Sequence, residues 1–208
     1  MQKQVDSSHY EFSKYVDKRR WASIWHQLDE VITMEPTKVL EIGPGPGIFK
    51  AVAQAIGVRV ETLDLDEELQ PDHVASADDT HFDDNAFDVV CAFQMLEHVP
   101  YEQSILIFKE MARVADKYIV ISIPDARAGW PYSIHIPIIG DVKFTIPLPW
   151  QALREHTFDG EHYWELNKKG YSFKRVGCDF EKAGSATILK SYRVPEKPYH
   201  RFFIFRLK

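Results

Sequence analysis

The chain has 208 residues, of which 45% are hydrophobic and 27% are charged. This length and composition are typical of one globular domain and exclude a largely disordered chain. The formal net charge of -6 argues against nucleic acid as a partner, because binding a phosphate backbone needs a basic surface.

The polar N-terminus lacks the apolar segment of a secretion signal, and no apolar run is as long as the roughly 20 residues of a membrane span. The two cysteines, Cys91 and Cys178, have no metal-ligand spacing. We therefore expect a cytoplasmic protein with no membrane span.

The first predicted element is a helix over residues 11–34, which Pro36 closes. Its apolar stripe comprises Tyr15, Trp21, Trp25 and Leu28. Strands are then predicted at 38–43, 59–65, 72–76, 87–94 and 117–124, and helices at 47–56 and 101–115. This alternation predicts a parallel sheet with helices on both faces, whose ligands bind beyond the carboxyl ends of the strands.

Three glycines, Gly43, Gly45 and Gly47, follow the first predicted strand and remove side chains that would hold a ligand away from the backbone. The dinucleotide fingerprint needs Gly-x-Gly-x-x-Gly, and this loop has Gly-x-Gly-x-Gly. A cofactor with a nucleoside and an amino acid is therefore favoured over one with a pyrophosphate. Asp64 ends the next strand about twenty residues later, where an acid can accept hydrogen bonds from ribose hydroxyls.

Four motifs follow in order along the chain, at 39–49, at Asp64, at 82–90 and at 95–99. Together they resemble the successive motifs of class I S-adenosylmethionine-dependent methyltransferases, most closely the small-molecule group called type 11. The resemblance covers residues 15–124. It implies a three-layer, Rossmann-like, doubly wound α/β sheet of about seven strands, mostly parallel with an antiparallel last strand, and S-adenosyl-L-methionine as cofactor.

The resemblance also implies where the cofactor binds. Glu41 would order the glycine loop and hold the cofactor's amino group, and a buried acid in an apolar strand needs such a partner. The adenine would lie beside 76–81, where either Ser76 or Asp78 aligns with the usual acid. The expected cofactor-binding residues are Glu41, Gly43, Gly45, Gly47, Asp64, Leu65, Ala77, Asp78, Gln94, Met95, Tyr15 and Arg20.

Methyl transfer is an in-line displacement at a sulfonium, so the protein mainly aligns the acceptor and removes its proton. Histidine suits proton removal near neutral pH, and His98, His156 and His162 are the candidate catalytic bases. A structural role in packing or helix capping stays open for each. No metal site is expected, although the acids of 78–84 are of a kind that binds hard cations.

An irregular insertion is expected at 125–160, because five prolines interrupt 124–149. Its many apolar residues must cover something, and a packed cap, an acceptor lid, a dimer face and a lipid-facing surface at 130–150 are the alternatives. Helical stretches at 161–168 and 172–183 and two closing strands at 187–194 and 200–207 follow.

These features predict one methyltransferase domain over 1–208, with a helical lid at 1–36 and the cap at 125–160. The expected reaction is methylation of an O or N atom of a small molecule, such as a sugar, a lipid-linked compound or a secondary metabolite. The other partners considered are a lipid surface, contacted peripherally, and a second copy in a homodimer. A catalytically silent binding protein and a nicotinamide-dependent oxidoreductase are the alternatives, and the glycine spacing argues against the latter.

Overall fold

A computed structural model of the protein describes residues 17–149 and 151–208. The helices are α1 (Lys18–Ile32), α2 (Ile48–Ala55), α3 (Tyr101–Val114) and α4 (Phe173–Ala183). The strands are β1 (Lys38–Ile42), β2 (Arg59–Asp64), β3 (His73–Val74), β4 (Phe87–Phe93), β5 (Ala115–Pro124), β6 (Gly129–Ile136), β7 (Gly140–Pro147), β8 (Ala186–Arg193) and β9 (His200–Leu207). Short 3-10 turns lie at Glu67–Leu69 and Leu96–His98. Tyr15 and the first residues of the predicted N-terminal helix lie outside the described residues.

Seven strands form one sheet in the order β3-β2-β1-β4-β5-β9-β8. Strands β1 to β5 are mutually parallel, and β9 runs antiparallel to both of its neighbours. This confirms the predicted doubly wound sheet with an antiparallel last strand. Because β1 lies between β2 and β4, the strand order reverses there, and the carboxyl ends of β1 and β4 border the crevice where such sheets bind ligands.

The sheet is buried on both faces because its central strands are apolar on both faces. Leu40 and Ile42 of β1 belong to a core cluster that includes Phe108 of α3. Val39, which points the other way, belongs to a second cluster with Phe49 of α2. The helices therefore hold β1 from both sides, and the loop that follows it is fixed in place.

Helix α1 buries a different face from the predicted one. Trp21 and Trp25 are 51% and 56% exposed, whereas Ile24, Gln27 and Val31 are buried. The buried positions follow the three-and-four spacing of one helix face that packs on the sheet, so the prediction that both tryptophans belong to the packed stripe was wrong. No helix within 17–149 and 151–208 has the length and apolar character needed to cross a membrane.

The insertion is irregular only in part, because β6 and β7 form an antiparallel hairpin over 129–147, whereas 151–159 have no regular secondary structure. Tyr132 pairs with Phe144 and Ile134 with Val142, so apolar side chains share one face. The prediction failed because the prolines were given more weight than the alternation of apolar residues. Ile138 at the tip is fully exposed.

Residues 161–168 are not helical either. Their hydrogen bonds run across to the turn after β4: the Tyr163 N–H donates to the Glu97 carbonyl at 2.8 Å, and the Trp164 indole N–H donates to the Leu96 carbonyl at 3.1 Å. Leu166 also forms a bridge with Asp125 at the end of β5. These contacts replace the local bonds of a helix and bring the segment to the carboxyl edge of the sheet.

Candidate active site

The glycine loop after β1 packs directly on the turn after β4. A β-carbon placed on Gly43 would lie 2.5 Å from Cγ of Met95, which is closer than two carbons approach. Gly43 also has a φ of +69°, a conformation that favours glycine. Its N–H donates to the Leu63 carbonyl at 2.9 Å, so the loop joins the ends of β1, β2 and β4. Gly45 and Gly47 complete the loop, and Gly47 is the residue before α2.

Glu41 lies one residue before the end of β1 and is 4% exposed. Within the described part of the chain its Oε2 atom has no hydrogen-bond partner. Burial raises the pKa of Glu41 to about 8, against the opposing effects of the Lys50 charge and backbone N–H. A buried acceptor without a partner is rare in native proteins, and a ligand ammonium group beside the loop would satisfy it.

Asp64 ends β2 beside the glycine loop, as predicted. Its Oδ1 atom accepts a hydrogen bond from the Asp66 N–H at 2.9 Å, which fixes the carboxylate. Burial raises the pKa of Asp64. Leu65, the next residue, is 40% exposed, so its side chain is open to a ligand at this edge.

Ser76 and Asp78, the two candidates for the adenine contact, are hydrogen-bonded to each other. The Ser76 hydroxyl and the Gln103 amide both donate to the Asp78 carboxylate. The bond from Ser76 is the main cause of the lowered pKa of Asp78. Ala77 between them is buried, so the segment presents backbone and a fixed carboxylate rather than a mobile acid.

Gln94 and Met95 turn the chain away from the end of β4. Gln94 has a φ of +53°, and such a left-handed conformation in a residue other than glycine is often found at functional sites. Its N–H donates to the Ser122 carbonyl at 2.8 Å, and its amide donates to the Ser122 hydroxyl at 3.2 Å. Met95 contacts Gly43 from this turn, so the structure brings the 94–95 motif to the loop.

Arg20 lies in the first turn of α1, where its backbone N–H donates to the capping Asp17 carboxylate at 2.6 Å. The Arg20 charge acts on Glu97 in the turn after β4 and on His200 at the start of β9. Arg20 is therefore on the crevice side of the sheet.

Glu97 and His98, in the turn after β4, lie close to His162 from the segment 161–166. One potential ligand atom from each of the three residues lies within 4.8 Å of the others. The His98 and His162 rings are in edge contact, with centroids 5.1 Å apart. Glu97 is fully buried, and burial raises its pKa to about 8.

His162 is held by Glu165, whose Oε1 atom lies 3.3 Å from its Nδ1 atom. Burial disfavours the imidazolium, but Glu165 and Glu97 outweigh it and raise the pKa of His162. The Tyr199 hydroxyl donates to Glu165, and the Lys168 ammonium lies 3.5 Å from it. Despite burial, these partners lower the pKa of Glu165 to about 2.

His156 lies beside this cluster and has a different role from its members. Its Nε2–H donates to the His162 carbonyl at 2.8 Å, because a carbonyl oxygen can only accept. This bond holds the backbone of His162 in place. His98 and His162 are therefore brought together by the structure, and His156 supports one of them.

Sequence reasoning missed Glu165 and Tyr199. Glu165 follows His162 by three residues, and this short spacing is a local signal that was not used when a helix was predicted at 161–168. Tyr199 is 37 residues from His162 and carries no local signal, because only the packing of the loop before β9 brings it to the site.

Comparison with known proteins decides the family. Residues 11–173 match the family model described as "Methyltransferase domain". The chain belongs to the methyltransferase domain family. The class I methyltransferase identified from the four motifs, and the enzyme class with it, are thereby confirmed.

Solved structures share the fold of this methyltransferase at low identity. A 1,6-didemethyltoxoflavin-N1-methyltransferase from Burkholderia thailandensis, with bound 1,6-didemethyltoxoflavin and S-adenosylhomocysteine, has 15% identity and a TM-score of 0.60, covering 97% of this chain and 87% of that one. Magnesium protoporphyrin IX methyltransferase from Synechocystis PCC 6803, with bound SAM, has 14% identity and a TM-score of 0.59, covering 100% and 87%. The PH0226 protein from Pyrococcus horikoshii OT3 has 16% identity and a TM-score of 0.60, covering 98% and 100%.

Proposed function

We propose that the protein transfers a methyl group from S-adenosyl-L-methionine to an O or N atom of a small molecule. The observation that carries the cofactor assignment is the buried Oε2 atom of Glu41, which has no hydrogen-bond partner among the described residues and lies beside a loop of three glycines. A cationic amino group at this point would pair the carboxylate, and the glycines let the ligand approach the backbone. The SAM and S-adenosylhomocysteine bound to the relatives of the same fold support this cofactor.

The cofactor supplies a methyl group activated on a sulfonium, and the residues of the chain bind and orient it. Asp64 and Leu65 would receive the ribose at the end of β2, and Ala77 and Asp78 would border the adenine. The backbone of Gln94 and Met95 would contact the methionine part, with Arg20 and Tyr15 as its partners from the N-terminal segment.

The acceptor would lie at the cluster of Glu97, His98 and His162. Its proton would pass to a histidine there, and His162 is the better placed because the Glu165 carboxylate fixes its ring and stabilises its cation. His98 is the second candidate, and His156 positions His162. This proposal gives a separate role to each of the three histidines that were predicted from the sequence.

A cavity of about 590 Å³ along the insertion supports a finer proposal on the acceptor. Its lining includes Arg127, Arg154 and Lys168, and Lys168 also contacts Glu165, the partner of His162. Three cations favour an acceptor with an anionic group, as in a phosphate-linked sugar or lipid. The insertion at 125–160 borders this cavity, which fits its proposed role as a cap of the single domain.

An acceptor screen with a labelled methyl group on S-adenosyl-L-methionine tests this function. We expect transfer of label to an anionic small molecule, and a loss of transfer in Lys168→Met with cofactor affinity unchanged. Failure of every acceptor class, with intact cofactor binding, would instead support the catalytically silent alternative.

A further inference from the structure

The cluster of Glu97, His98 and His162 combines two imidazoles and one carboxylate from two segments of the chain. Donor atoms around one transition-metal ion are roughly 3–4 Å apart, given metal–ligand bonds of about 2.0–2.2 Å. The three ligand atoms here are already within 4.8 Å of one another. Small side-chain rotations would bring them to one ion.

Glu97 provides an independent sign of a missing partner. Its side chain is fully buried, and neither carboxylate oxygen has a hydrogen-bond partner among the described residues. Glu165 nearby shows the contrast, since Tyr199, His162 and Lys168 all pair with it. Buried carboxylates in proteins are normally paired or bind metal, so Glu97 points to a cationic partner that residues 17–149 and 151–208 do not place within hydrogen-bond distance of it.

Both histidines are oriented as metal ligands commonly are. The His98 Nδ1–H donates to the Glu161 carbonyl at 3.0 Å, which leaves the lone pair of the neutral ring on Nε2. The His162 Nδ1 atom lies 3.3 Å from the Glu165 carboxylate, which fixes the same tautomer when the ring is neutral. Metal-binding histidines usually donate their other N–H to such a carbonyl or carboxylate.

The backbone around the cluster is also fixed. Tyr163 and Trp164 donate to the carbonyls of Glu97 and Leu96, so the segment that carries His162 cannot shift without losing these bonds. A site held in this way needs little reorganisation to bind an ion.

A competing group, Asp159 with His162 and Glu165, has the same spacing. Its carboxylates already have partners, however, since Asp159 accepts from the N–H groups of Glu161 and His162. The group with Glu97 is therefore the better metal site.

We propose that Glu97, His98 and His162 bind one divalent transition-metal ion of the zinc or cobalt type. The two-imidazole, one-carboxylate set leaves coordination positions open for an oxygen of the acceptor. With both histidines bound to it, a metal ion would replace them as the means of proton removal: it would orient and acidify an acceptor hydroxyl, whose proton would pass to water. Only this last step rests on the proposed methyl transfer, because ion binding itself does not depend on it.

The test uses the full chain, freed of metal with a chelator and titrated with Zn²⁺ by calorimetry and with Co²⁺ by visible absorption. We expect one ion per chain and the absorption of cobalt bound to imidazole and carboxylate. Glu97→Gln and His162→Asn should each weaken binding by at least ~10-fold, a loss already typical of residues that only support metal ligands. Circular dichroism would check that both variants keep the fold.

His81→Asn is the matched control, because His81 forms an exposed pair with Asp79 outside the cluster. We expect it to bind the ion as the wild type does. Absence of binding to the wild type, or equal affinities in wild type and Glu97→Gln, would overturn the metal site. Titration of the metal-free protein with S-adenosyl-L-methionine separates the two proposals, since cofactor binding without ion binding rejects only the metal site.

Discussion

Met95 occupies the space that a side chain on Gly43 would need, because a β-carbon on Gly43 would lie 2.5 Å from Cγ of Met95. The contact joins the glycine loop after β1 to the turn after β4. These two segments supply most of the proposed contacts to the methionine part of the cofactor, so the spacing between them sets the width of the crevice.

Gly43→Ala should therefore lose most of its cofactor affinity. The new methyl group would clash with Met95, and the φ of +69° would add strain of about 1–3 kcal/mol. Calorimetric titration with S-adenosyl-L-methionine and thermal unfolding would measure the two effects. Gly57→Ala is the control, since Gly57 also has a positive φ but nothing within 4 Å of a β-carbon. Equal affinities for the two variants would show that the contact is unimportant.

Glu41 should link cofactor binding to proton release. With a pKa of about 8, the buried carboxyl is protonated at neutral pH, and the cofactor ammonium would favour the ionised form. Affinity should therefore rise as the pH is raised from about 6 to about 8. Titrations in buffers of different ionisation enthalpy would measure the released proton. Glu41→Gln should abolish this release, and a release that persists in the variant would assign it to another group.

The same raised pKa predicts an effect on stability. The unfolded carboxyl ionises near its ordinary value of 4.5, whereas the folded one keeps its proton up to about 8. The contribution of Glu41 is thus fully present below 4.5 and is lost as the pH rises through the folded pKa. Chemical denaturation should show Glu41→Gln gaining stability relative to wild type between pH 5 and pH 8, a trend that a paired carboxylate would reverse.

Glu110 should behave in the opposite way. Its hydrogen bonds with Arg113, and those from Thr80, hold the pKa of Glu110 at about 2 despite partial burial. The stabilisation is present above the ordinary pKa of 4.5 and is lost as the pH falls through the folded value. Glu110→Gln should lower the free energy of unfolding by about 1–3 kcal/mol at pH 7 and by less at pH 3. The same change at exposed Glu35 is the control, and an equal loss of stability there would show that the bonds from Arg113 and Thr80 are not the cause.

Trp164→Phe tests whether the segment 161–166 assembles the acceptor site. Trp164 is fully buried, and the variant would leave the Leu96 carbonyl without its donor, which should cost about 1–3 kcal/mol of stability. The turn that carries Glu97 and His98 should loosen with it. We expect methyl transfer to fall more than cofactor affinity. Phe158→Leu, an exposed position, is the control, and an unchanged rate in Trp164→Phe would show that this anchor is dispensable.

The cofactor half of the site was readable from the sequence because its signals are local. The apolar strand before Gly43 and the acid at Asp64 mark strand ends, and strand ends of a parallel sheet meet at one edge. A residue's place at the end of its own strand therefore predicts that it lies near the residues at the ends of neighbouring strands. The structure confirms the sheet on which this prediction depends.

The acceptor half depends on contacts between distant parts of the chain, which local periodicity does not encode. The segment that carries His162 was expected to be helical, but its N–H groups bond to the turn at Leu96–His98 instead. Tyr199 reaches Glu165 only through the packing of the closing strands. The alternation of apolar residues in β6 and β7 is typical of a hairpin, but the prolines favoured the prediction of an irregular segment.

The most direct test of the cofactor assignment is calorimetric titration with S-adenosyl-L-methionine and, separately, with NAD, for the wild type and Asp64→Ala. One molecule of S-adenosyl-L-methionine should bind per chain, and NAD should not bind. The affinity should fall by about 1–3 kcal/mol in Asp64→Ala and should not change in the exposed control Asp116→Ala. Binding of NAD alone, binding of neither cofactor, or unchanged affinity in Asp64→Ala would contradict the cofactor assignment.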